Sequence, residues 1–102
     1  MQPKVRVPVH PGEMLREEFL VPLDLSQVEL AERLGISRRR VNEILAEKRG
    51  ITVDTALRLA QLFGTTPQFW LNLQQNYDLL TARKVRNVVP LKRRQAKAQA
   101  RR

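Results

Sequence analysis

Three consecutive arginines, Arg38, Arg39 and Arg40, directly follow Ser37 and are followed in turn by Asn42 and Glu43. At about 100° per helical residue, a segment that turns Val41, Ile44 and Leu45 inward points Arg39, Glu43 and Ala46 outward, with Asn42 and Arg40 flanking them and Arg38 leading. That face suits the base edges of a DNA major groove. Arginine bonds guanine O6 and N7 together, asparagine bonds adenine N6 and N7, and glutamate accepts from cytosine N4. Arg38, Arg39, Asn42 and Glu43 are therefore the candidate base readers. For Glu43 an alternative of equal weight stands beside this, because Arg39 lies four residues before it and could form an ordinary surface pair worth about 0.3–0.5 kcal/mol. Cations at a helix N-terminus oppose the helix dipole unless an anion lies there, and a phosphate is such an anion. Arg40 is assigned to phosphate, together with Gln27 and Ser37 at helix starts and Lys48 and Arg49 in the loop that follows.

The elements that must hold these groups are written in the same stretch, SQVELAERLGISRRRVNEILAEKRGI, from Ser26 to Ile51. Ser26 and Glu29 have the spacing of a capping box, with Leu25 and Leu30 at the staple positions. Leu30, Ala31 and Leu34 share one face, and a small Ala31 lets two helices cross closely. Gly35 stops the first helix, Ser37 caps the second, and Ile36 and Val41 repeat the staple. The spacing predicts a helix-turn-helix whose second helix enters the groove by its N-terminal end.

The remaining helices are predicted around this pair. Pro11 opens a helix carrying Leu15 and Phe19 that ends near Val21, before Pro22. Thr52 caps another through Phe63, stopped by Gly64; Thr66 and Pro67 start the last. In that last helix Trp70, Leu73, Tyr77 and Leu80 recur at a 3-4-3 spacing, while Phe69, Leu71 and Leu79 lie off the line. Burial within a small five-helix core suffices for Trp70 or Phe69 alone, but a dimer seam explains the second face better, so Trp70, Leu73, Tyr77 and Leu80 are the expected dimer interface.

Charge and composition narrow the classes further. The chain has 102 residues and a formal charge of +9. Residues 1–82 are neutral overall, and all of the excess lies in residues 83–102, which hold nine Lys or Arg and no acid. We expect one helix-turn-helix and dimerisation domain over 1–82 and a basic tail over 83–102, frayed from the last helix and then disordered, with Gln95 to Arg102 becoming weakly helical on an anionic surface. The tail is either a solubilising segment or a nonspecific nucleic-acid arm. There is no cysteine, and His10 is the only histidine; no catalytic group, metal site or cofactor is expected. His10 itself is read as a helix cap or an exposed residue. No apolar run approaches the ~20 residues of a membrane helix, and no signal sequence is evident, which predicts a cytoplasmic protein, nucleoid-associated when bound to DNA.

The HPGE opening, the RGIT after the second motif helix and the FWLNLQ run, within His10 to Leu79, resemble the HigA antitoxins of bacterial type II toxin-antitoxin systems, a branch of the Xre/Cro helix-turn-helix class. The resemblance implies an all-α, five-helix lambda-repressor-like domain that dimerises, binds a palindromic operator in double-stranded DNA at its own promoter, and neutralises a HigB-type mRNA-cleaving toxin. In Xre-like domains the recognition positions match Arg38, Arg39, Asn42 and Glu43, with Gln27 at the phosphate. Two other functions share features of the chain: a stand-alone dimeric repressor, and a toxin-binding module with little specific DNA binding. The outward arginines argue against the second.

Overall fold

The computed structural model describes residues 8–91, and these form five helices with no strand among them. The first, α1, is composite: Pro11–Leu15 is α-helical, Arg16–Leu20 is a π-helical turn, and Val21–Leu23 closes it. It therefore does not stop before Pro22 as the sequence predicts. Pro22 lacks an N–H and its ring would press on a carbonyl one regular turn earlier. The wider π turn, with the Val21 N–H reaching back to the Arg16 carbonyl, carries the chain past the proline. The stop comes at Asp24, which adopts a left-handed conformation at φ 53°.

The next two helices are α2, Gln27–Leu34, and α3, Arg38–Leu45. Ser26 Oγ accepts from the Glu29 N–H at 3.0 Å. Only this half of the expected capping box forms, because the Glu29 carboxylate turns to Arg33 Nε, 2.9 Å away on the next turn. Gly35 ends α2 at φ 72°, and its N–H returns to the Ala31 carbonyl at 2.9 Å. Helices α4, Val53–Phe63, and α5, Pro67–Thr81, start on Thr52 and Thr66 caps, and Gly64 separates them. Leu15, Leu30, Ala31, Val41, Ile44 and Leu59 are all buried in one core that spans α1 to α4. Trp70 enters it from α5.

Trp70 is fully buried, which corrects its placement at a dimer seam. Its ring packs near Phe19, Phe63 and Phe69, and its Nε1 donates to Thr65 Oγ1 at 2.7 Å. Leu73 likewise rests against the core of its own chain, and Tyr77 stacks edge-on to His10 with ring centroids 4.8 Å apart. Leu73 and Tyr77 are thus partly covered, and Leu80 is the most open of the four, at 45% exposure, beside Leu79 at 70%. After Thr81 the helix does not fray into a further helical tail: Ala82 is extended, and residues 82–91 are exposed and non-helical. Crowded cations at Arg83, Lys84 and Arg86, β-branched Val85, Val88 and Val89, and then Pro90 all disfavour continuation. The stretch expected to be weakly helical, Gln95 to Arg102, lies outside the described residues.

His10 is a buried cap rather than an exposed residue, accepting at Nδ1 from the Gly12 N–H at 2.9 Å. Burial lowers its pKa, against the opposing charges of Glu47 and Asp78. The folded protein therefore holds a neutral imidazole where the unfolded chain takes up a proton near pH ~6.5. Stability from this group is complete above that pH and is lost as pH falls below it. We expect the melting temperature to decline on acidification from pH ~7 toward ~5, and the decline to flatten in His10→Asn, which keeps a cap acceptor without titrating. Identical slopes in the two proteins would remove His10 as the cause.

Candidate nucleic-acid interface

The α3 helix is carried by three supports. Ser37 Oγ accepts from the Arg40 N–H at 3.1 Å and starts it; the oxygen is used, but its hydroxyl proton remains available to a phosphate. Val41, Ile44 and Leu45 fix its inner face. At its end, the Arg16 guanidinium of α1 donates to the Leu45 carbonyl at 2.7 Å through Nη1, satisfying one of the carbonyls a helix end leaves unpaired. A matching bond closes α2, where Arg58 Nη1 donates to the Leu34 carbonyl at 2.8 Å. Gly12 supplies the close approach. A Cβ there would lie 1.9 Å from the Ile44 carbonyl oxygen, so only hydrogen fits between α1 and α3.

This carriage leaves Arg38, Arg39 and Asn42 exposed on one surface, the Arg39 side chain at 85%. Asn42 Nδ2 donates to Gln27 Oε1 at 3.3 Å, which brings a base-reading candidate and a phosphate candidate from different helices together. Their amides orient each other, and the Gln27 Nε2 donor stays free for an anion. Glu43 lies between two cations: Arg39 Nε reaches one carboxylate oxygen at 3.1 Å and Arg49 Nη2 the other at 2.8 Å. The Arg39 hydrogen bond is the largest of the effects that hold the Glu43 carboxyl below the usual carboxylate range. The surface pair weighed for Glu43 is thus formed, extended by Arg49. Lys48 is exposed in the same turn.

Arg40 departs from expectation. Its Nη2 donates to Asp54 Oδ2 at 2.9 Å and also to Thr55 Oγ1, so the guanidinium is held against α4 by one of its nitrogens. The helical wheel explains this: position 40 is on the flank, where it meets the first turn of α4. Asp54 also accepts from Arg58 Nε at 3.0 Å, and the two arginines, Arg40 first, depress its pKa. Asp54, Arg58 and Arg16 carry no motif signature. The Asp54–Arg58 spacing of four was the only local cue, and their partners on α2 and α3 lie beyond it. Among the described residues, no group of three or more His, Asp or Glu is placed to hold a metal, and no helix is long and apolar enough to cross a membrane.

The helix-turn-helix family model matches residues 15–70, which is more than half of the chain. Virulence-associated protein I of Dichelobacter nodosus is 57% identical over 74 residues, covering 72% of this chain and 68% of that protein. Antitoxin HigA-1 of Vibrio cholerae is 40% identical over 83 residues, covering 81% and 78%. The solved structure of Pseudomonas aeruginosa antitoxin HigA with the higBA promoter superposes with a TM-score of 0.73 at 51% identity, covering 74% of this chain and 83% of that one. The chain belongs to the HigA-type helix-turn-helix family. Its HigA-type fold is the five-helix arrangement expected, and the family is one of regulators rather than enzymes. The matched region takes in α2, α3 and α4 whole and stops at Trp70. The exposed end of α5 and the cationic segment after it therefore lie outside the shared helix-turn-helix unit.

Proposed function

We propose that this chain is a dimeric antitoxin that binds an operator at its own promoter, represses its operon and neutralises a HigB-type toxin. The observation that carries the DNA half is the single outward surface of Arg38, Arg39 and Asn42, with Asn42 tied to Gln27, on a fold like that of an antitoxin solved with its promoter. In this reading Arg38, Arg39, Asn42 and Glu43 face bases, Glu43 exchanging one of its arginine partners for a cytosine amine, and Gln27, Ser37, Lys48 and Arg49 face phosphates. Replacing Arg38 or Arg39 with Ala should cost about 1–3 kcal/mol on the operator and little on scrambled DNA. Titration of both DNAs at fixed salt measures this; equal losses on the two would reduce these arginines to backbone contacts. The toxin half is tested by co-expression with the product of the adjacent gene, where stable co-purification and restored growth are expected.

We propose that the dimer forms at the end of α5, through Leu79 and Leu80, both of which are exposed. A two-fold pair would set the recognition helices about 34–36 Å apart on half-sites roughly 10 base pairs apart. Leu80→Glu together with Leu79→Glu should give a monomer in light scattering and weaken operator binding. A variant that remains dimeric moves the interface elsewhere.

A further inference from the structure

We propose that Asp54 is a positioning residue for DNA recognition: it withholds Arg40 from the phosphate backbone and so limits indiscriminate binding. This rests on the DNA-binding reading above. Three adjacent arginines at the start of a recognition helix bring strong but unselective attraction, because phosphate contacts are the same at every sequence. One of the three is taken out of that role within the protein. The Arg40 guanidinium donates to Asp54 at 2.9 Å and to the buried Thr55 hydroxyl. Asp54 is itself held in place: it accepts from Arg58, whose other nitrogen is fixed on the Leu34 carbonyl. The acid thus stands on a three-way brace between the end of α2, the first turn of α4 and the first turn of α3.

Loss of the Asp54 charge changes the balance at one point. Thr55 is a neutral acceptor and holds a guanidinium less strongly than an ionised one does. With Asn at position 54, a phosphate becomes the better partner for Arg40, which also lines an open cleft shared with Arg49, Gly50 and Thr52. Arg39 and Arg49 have their own internal acid in Glu43, whereas Arg58 shares Asp54 with Arg40, so the double variant with Arg40→Gln is what assigns the effect to Arg40.

The test compares the wild type, Asp54→Asn, Arg40→Gln and the double variant on operator and scrambled duplexes at several salt concentrations. For Asp54→Asn we expect tighter binding to scrambled DNA, a slope of log affinity against log salt steeper by about 0.9, one added phosphate, and a smaller operator preference. Arg40→Gln alone should leave the scrambled-DNA slope unchanged, and the double variant should return to it. An unchanged slope in Asp54→Asn overturns the proposal, as does a slope flattened by about 0.9 in Arg40→Gln, which would mean that Arg40 already touches phosphate. A wild type with no operator preference fails differently, since it removes the DNA-binding reading itself.

Discussion

Trp70→Ala is expected to cost about 3–5 kcal/mol of folding stability, the range for emptying a large aromatic site from a core. For a domain whose total stability is about 5–15 kcal/mol this is a large share. The indole is fully buried against Phe19, Phe63 and Phe69, and its removal also strands the Thr65 hydroxyl. Urea unfolding should show a lower midpoint. The loss separates the two placements considered for this residue: a core tryptophan weakens the fold equally at every protein concentration, whereas a seam tryptophan weakens it most in dilute solution. Trp70→Phe should recover part of the loss by refilling volume, while leaving Thr65 without its donor.

Gly12→Ala is expected to act through the backbone, and to exceed the usual ~1–3 kcal/mol of core overpacking. The added carbon would meet the Ile44 carbonyl oxygen at 1.9 Å, and neither α1 nor α3 has a side chain there that could rotate away. The helices must separate, which lengthens the Arg16–Leu45 bond and tilts the arginine face. Thermal melting should therefore show a large drop. In conditions where the variant is still folded, operator affinity should fall further than affinity for scrambled DNA. A variant that melts like the wild type would mean the crossing is looser than 1.9 Å implies.

Local chemistry was legible in the sequence wherever its partners were near in the chain. Ser26, Ser37, Thr52 and Thr66 each cap the helix that follows, and Gly35 and Gly64 take the left-handed conformations their positions suggested. The outward placement of Arg38, Arg39 and Asn42 follows from one helical period. Periodicity fails at the next level, because it tells which residues share a face and not what the face meets. Trp70, Leu73 and Tyr77 do lie along α5 as counted, but their own chain buries Trp70 and partly covers Leu73 and Tyr77. Arg40 sits on the expected flank, yet it meets Asp54, fourteen residues away. The Arg16 and Arg58 bonds span 29 and 24 residues, and the π turn is a response to Pro22 for which the apolar pattern had no sign.

Both arginines that close the motif helices come from outside the motif, Arg16 from α1 and Arg58 from α4, as does the Gly12 crossing. The reading surface is thus not a portable cassette. A peptide spanning Ser26 to Ile51 would have its two final carbonyls open and no apolar floor, and short helices in water are marginal without such packing. Grafting a new specificity onto this scaffold should succeed by exchanging outward side chains at positions 38, 39 and 42, whereas moving the two helices to another protein would require it to offer a glycine and two guanidiniums at the same places.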